Sequence, residues 1–146
     1  MSDAVRVVEI LGGESLKKRM RNGLDLVRAV EGGLPASTVR RVSAYVGRTP
    51  AEVNQVARLV VARATLERRL RAGERLTVEE SERAERVARV MALAEQVLES
   101  ADEARDFLFS PHALLGGKAP IALVRTDLGA RQVEDLLWKL EYSLPV

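Results

Sequence analysis

Cysteine is absent from this sequence of 146 residues. That excludes disulfide scaffolds, thiol catalysis and cysteine-ligated zinc or iron–sulfur sites. Histidine occurs once, at His112, so a metal site needing two imidazoles is impossible and a Ser-His-Asp arrangement would have to use that one ring. Aromatic residues are scarce at 3% of the chain (Tyr45, Phe107, Phe109, Trp138 and Tyr142); a core must therefore be built mostly from Val, Leu and Ala. No run approaches the roughly 18 uninterrupted apolar residues of a membrane span, and Met1 to Leu11 lacks the basic start and long apolar stretch of a secretory signal. The expectation is a cytoplasmic protein with no cofactor and no metal.

Among what is present, 47% of residues are hydrophobic and 30% charged, close to the composition of globular domains. This length suits one or two small domains with a self-supporting core. The net charge of +2 hides an asymmetry: residues 1–75 hold 15 Lys+Arg and 8 Asp+Glu, whereas residues 76–146 hold 8 and 13. A basic first half and an acidic second half suit two different partners, one of them polyanionic; they also suit two solvated surfaces of one domain.

No segment alternates with period two, so an all-α fold is expected. Val5 to Leu11, before Gly12-Gly13, admits either a short strand or a helical turn. From Ser15 to Val30 the residues Leu16, Met20, Leu24, Val27 and Val30 define an inner face, with Asn22-Gly23 splitting the segment. A helix from about Ala36 to Tyr45 places Val39, Val42 and Val46 inside and Arg40 and Arg41 outside, with Gly47 as its cap. Thr49-Pro50-Ala51-Glu52 combines a capping hydroxyl, a first-position proline and a carboxylate at capping-box spacing, starting a helix to about Ala57. Arg63 to Arg71 forms the most basic helix, around Leu66 and Leu70, stopped by Ala72-Gly73. Thr77-Val78-Glu79-Glu80 opens the longest helix, about Val78 to Glu99, with one apolar stripe through Ala84, Val87, Val90, Met91, Ala94, Val97 and Leu98. Ser100-Ala101-Asp102-Glu103 starts a short helix to about Phe109, and Pro120 to Val124 makes a single turn. Thr126 or Asp127 caps a last helix to about Glu141, with Val133, Leu136, Leu137 and Leu140 inside and Glu134 and Asp135 outside.

The helices Pro50–Ala57 and Arg63–Arg71 have the size of a helix-turn-helix. The second would be its recognition helix. Arg63, Thr65, Arg68, Arg69 and Arg71 are then candidate DNA contacts, with Arg40, Arg41 and Arg58 meeting phosphate. A solvated arginine face on a bundle helix is the competing reading. The turn, Val60-Val61-Ala62, contains no glycine; a β-branched residue accepts a left-handed conformation poorly, and Ala62 cannot cap. Glu79, Glu80, Glu82 and Glu85 crowd a helix start, where carboxylates complement the helix dipole. No catalytic constellation emerges, and Gly116-Gly117-Lys118 lacks the spacing and preceding strand of a phosphate loop. Trp138, Tyr142, Leu144 and Val146 read either as anchors for a partner groove or dimer seam, or as a terminus docked on its own core.

From Gly32-Gly33-Leu34-Pro35 onward, and in Leu11-Gly12-Gly13 before it, the sequence resembles the Xre/MbcA/ParS-like antitoxins of RES–Xre type II toxin–antitoxin systems. Thr65-Leu66-Glu67-Arg68-Arg69 is similar to the family's Thr-Leu-x-Arg-Arg. Leu76 to Arg83, with Glu80-Ser81 and Arg86, resembles its L-x-x-x-E-S-x-R-x-x-R junction. Pro111, Leu115, Gly116, Pro120-Ile121, Leu123, Thr126, Gly129, Val133, Leu137 and Tyr142 fall where its C-terminal toxin-binding domain has them.

The resemblance implies a non-enzymatic, autoregulating antitoxin. Its C-terminal domain would bind a RES-domain toxin that degrades NAD, and its C-terminal end would cover the toxin's active-site entrance. On that basis Trp138, Glu141, Tyr142, Ser143, Leu144, Pro145 and Val146 meet the toxin. The helix-turn-helix would bind operator DNA in the promoter of its own operon, as a homodimer and within a larger toxin–antitoxin complex. The expected domains are residues 1–75, with the DNA-binding unit, and 76–146, for toxin binding and dimerisation. The alternative is a stand-alone dimeric helix-turn-helix transcriptional regulator with no toxin partner.

Overall fold

The computed structural model describes residues 3–142. Every regular element among them is helical, and extended backbone pairs only in two isolated bridges, Pro35 with Arg75 and His112 with Lys118. None of these helices is long and apolar enough to cross a membrane. The chain divides into two compact units, Met1–Ala88 and Arg89–Val146.

In the first unit, α1 (Asp3–Lys17) resolves the ambiguous opening as a helix. Val7, Val8, Ile10 and Leu11 are buried, and their three- and four-residue returns form a helical face. Gly13, at φ 62 and ψ −151, leaves the helical region and breaks α1 into two helical segments, as Gly12-Gly13 predicts. Asn22 caps α2 (Gly23–Glu31) by accepting the Asp25 N–H at 3.0 Å. The inner face of α2 differs from the expected one, because Leu26 is buried while Leu24 and Val27 are exposed. In α3 (Ser37–Val46), Val39, Val42 and Val46 are fully buried and Arg40 and Arg41 exposed, as the spacing predicts. Gly47 closes α3 in an extended conformation, not a left-handed one. It is needed for space, since a Cβ there would lie 2.5 Å from the Val53 nitrogen.

Helix α4 (Pro50–Val60) outruns its expected end at Ala57, because Val56 and Val60 both go into the core. Thr49 accepts the Glu52 N–H at 3.2 Å, and Glu52 accepts the Arg48 N–H at 2.8 Å. Next come α5 (Arg63–Ala72), ended by left-handed Gly73, and α6 (Val78–Leu98). The capping box of α6 is reciprocal: Glu80 accepts the Thr77 N–H at 2.9 Å and Thr77 Oγ1 the Glu80 N–H at 3.1 Å. The division between the units falls within α6 rather than at residue 75, because the first turns of this helix are bonded into the first unit. Buried Ser81 accepts the Leu34 N–H at 2.8 Å, and Arg83 Nε donates to the Val60 carbonyl at 2.9 Å. The run Val87–Ala94 is buried apart from half-exposed Arg89, a wider band than one stripe.

The second unit continues through α7 (Ala101–Phe109), capped by Ser100, a 3-10 turn at Ala113–Leu115, α8 (Pro120–Leu123) and α9 (Asp127–Tyr142). Its core includes Leu108, Ile121, Val124, Ala130, Val133, Leu136 and Leu137. Thr126, outside α9, accepts the Gly129 N–H at 3.0 Å and so caps it. Gly129 lets α9 approach the end of α8, for a Cβ there would sit 1.9 Å from the Leu123 carbonyl oxygen.

Candidate functional site

The α4–α5 turn avoids the left-handed region altogether. Val61 is extended (φ −156) and 5% exposed, and Ala62 follows at φ −63, ψ 144. The β-branched side chain thus fills the core while the backbone turns through conformations that any residue adopts. Ala62 provides no side-chain cap to α5. The end of α4 is closed from outside, by the Arg83 guanidinium on the carbonyl of Val60. A cation at this position also complements the negative end of the helix dipole.

On this frame Arg63, Arg68 and Arg71 project from α5 into solvent, as do Arg58 from α4 and Arg40 and Arg41 from α3; Thr65 is half-buried. Arg63 pairs with Glu67 at 3.3 Å on the open surface, a contact worth little. Arg69 is placed differently. Its side chain is 15% exposed, beside Glu80 at 10%, and it donates to the Glu80 carboxylate at 3.3 Å and to the Arg75 carbonyl at 3.1 Å. This geometry turns Arg69 away from solvent and pins α5 to the start of α6. Glu80, Ser81 and Arg83 lie outside the candidate contacts expected from the sequence. Their signal was the Glu-Ser-x-Arg run itself, whose three side chains hold the α5 arginine, the Leu34 amide and the α4 end.

The second candidate surface lies on α9. With Ala130, Val133, Leu136 and Leu137 buried, the opposite side of the helix is left to Leu128, Arg131, Asp135, Lys139 and Tyr142. Leu128 is 69% exposed and Tyr142 76%. Tyr142 stacks on half-buried Trp138 with ring centroids 5.7 Å apart and an interplanar angle of 15°. Glu141 is exposed and Leu140 half-exposed. Glu134, expected to face outward, is half-buried and paired with Arg89 at 3.3 Å. In the turn before α8, Leu114 is 71% exposed. The candidate residues Ser143, Leu144, Pro145 and Val146 lie outside the described residues.

His112 acts locally, its Nδ1 accepting the Leu114 N–H at 3.2 Å while its ring meets Phe107 edge-on. Among the described residues no group of three or more His, Cys, Asp or Glu side chains could hold a metal ion.

These features define a helix-turn-helix protein with a second helical module after it in sequence. Residues 25–89 match the antitoxin Xre-like helix-turn-helix domain, and residues 93–142 match the antitoxin Xre/MbcA/ParS C-terminal toxin-binding domain. Over 92 residues the chain is 35% identical to Antitoxin Xre of Pseudomonas putida; the matched stretch is 63% of this chain and 55% of that relative's length. The chain thus carries an Xre-like helix-turn-helix domain followed by an Xre/MbcA/ParS C-terminal toxin-binding domain.

Proposed function

We propose that this chain neutralises a RES-domain toxin that degrades NAD, shielding the toxin's active site with the region from Trp138 onward, and that it represses its own operon through the helix-turn-helix. The observation that carries this reading is the Trp138–Tyr142 stack at the end of α9, inside the matched toxin-binding stretch. A tyrosine 76% exposed beside a half-buried tryptophan has the aromatic area and the polar edge of an interface anchor. Leu128, on the same side of the helix, extends the apolar surface.

On the DNA side, exposed Arg58, Arg63, Arg68 and Arg71 meet phosphate or base edges, with Arg40 and Arg41 as further phosphate contacts. Arg69 serves by holding the recognition helix in place. The protein works in the cytoplasm, as a homodimer within a larger toxin–antitoxin complex, and catalyses nothing itself.

Co-expression with the product of the adjacent reading frame tests this, following growth and cellular NAD for the full chain and for a chain ending before Tyr142. The expected result is NAD depletion by the neighbour alone, prevention by the full chain, and loss of prevention on truncation. A neighbour that leaves NAD untouched, or that never associates with this chain, overturns the reading in favour of a stand-alone regulator.

A further inference from the structure

A cavity of about 720 Å³ opens in the first unit between α1, α2 and the start of α3. Four arginines line it, Arg19, Arg28, Arg41 and Arg75, against one carboxylate, Asp25. Asp25 is already engaged, accepting the Arg21 N–H at 2.8 Å and lying 3.7 Å from Arg28. Arg75 spends one donor on the Gly33 carbonyl at 3.0 Å, leaving the rest of its guanidinium fork. Arg19 and Arg41 make no ion pair among the described residues. All four arginines are exposed, and a cleft lined predominantly by one sign of charge focuses its field and draws in counter-ions.

Two features of α3 point the same way. Its first residues, Ser37 and Thr38, line the cavity, and its N-terminus has no side-chain cap; the Thr38 and Val39 N–H groups go to the Pro35 and Ala36 carbonyls at 3.0 and 3.1 Å, so this end of the helix offers an anion its positive dipole. Thr38 is 4% exposed, and its hydroxyl makes no hydrogen bond among the described residues. The remaining walls are apolar, from Leu11, Leu16, Met20, Leu34 and Pro35. The volume falls within the range of small-ligand pockets, about 300–1,000 Å³.

We propose that this cavity binds a phosphorylated small molecule of nucleotide size, its phosphates on Arg19, Arg41 and Arg75 at the α3 N-terminus and its uncharged part against Leu16 and Met20. Guanidinium forks match phosphate oxygens in pairs, and a chain of phosphates can engage Arg19, Arg41 and Arg75 together where a single carboxylate engages one fork.

Titration calorimetry on the full chain tests the site with ATP, inorganic pyrophosphate and adenosine as probes. Saturable binding of one ATP per chain is expected, with pyrophosphate weaker and adenosine silent. The double variant Arg19→Gln, Arg41→Gln should weaken ATP binding about tenfold or more, the loss of at least one charge-assisted hydrogen bond, with an unchanged melting temperature. Arg68→Gln with Arg71→Gln should leave it intact. Absence of saturable binding overturns the proposal. So does ATP binding that survives the first double variant, or that disappears with the second, which would place the anion on the recognition helix instead.

Discussion

At Glu52 a single side chain joins capping to charge. The hydrogen bond from the Arg48 side chain holds its carboxyl below the ordinary value of 4.5, against a desolvation that pushes it up. A carboxylate whose folded-state pKa is depressed contributes stability that is present above its unfolded value and is lost as pH falls through the folded one. Urea midpoints measured from pH 7 down to pH 3 should therefore fall less steeply for Glu52→Gln than for the parent chain, and equal slopes would remove Glu52 from the acid limb. Glu99 carries a different cost. It is the one non-glycine residue at positive φ among those described, at φ 62 just past the end of α6. Glu99→Gly should stabilise the chain by about 0.5–1 kcal/mol in denaturant melts, the left-handed penalty relieved less the added entropy of glycine. Glu52 could be placed from the sequence without long-range knowledge, because its Thr-x-x-Glu spacing is local. The outward turn of Leu24 and Val27 was illegible for the opposite reason: both helical faces of α2 carry apolar residues, and only packing selects Leu26.

Within α5, exposure separates two kinds of arginine that the sequence shows as equals. Arg68 and Arg71 face solvent, while Arg69 is spent on Glu80 and the Arg75 carbonyl. A residue that neutralises a phosphate releases counterion, so Arg68→Ala and Arg71→Ala should each lower the slope of log affinity against log salt by about 0.9 on any duplex. Arg69→Met should leave that slope unchanged and instead cost about 2 kcal/mol of stability, because a nearly buried carboxylate loses its partner. Salt titrations by fluorescence anisotropy, read beside urea melts, distinguish the two; a reduced slope for Arg69→Met would return it to the DNA contacts. Helix starts in this chain were legible as elements because Thr49, Thr77 and Ser100 act within three residues of themselves. The α4–α5 turn was not, since Val61 looked unsuited to a left-handed position that the backbone never adopts. The opening helix was hidden as well, since the apolar, β-branched run Val5 to Leu11 before the Gly12-Gly13 break suits a strand and a helical turn equally.

For the molecule as a whole, the consequence of greatest reach is where the first unit ends. The change of charge near residue 75 and the capping box at Thr77 both suggested a boundary there, yet a capping box marks the start of a helix and says nothing about what that helix packs against. Glu80, Ser81 and Arg83 reach back to Arg69, the Leu34 amide and the Val60 carbonyl, partners separated by up to 47 residues. Such pairings leave no periodic trace in a sequence. A chain cut after residue 75 would forfeit all three contacts, leave the Leu34 N–H and Val60 carbonyl without their partners, and lose the buried Leu76, Ala84, Val87 and Ala88 from the core. Each orphaned buried polar group costs about 1–3 kcal/mol, and a small domain has only about 5–15 kcal/mol of stability in total. Residues 1–75 alone should therefore show no cooperative thermal transition by circular dichroism, whereas residues 1–98, which retain all of α6, should melt cooperatively. If the shorter fragment unfolds cooperatively within a few degrees of the longer one, the start of α6 is dispensable to the helix-turn-helix, and the Glu-Ser-x-Arg run has to be explained by something other than the fold of the first unit.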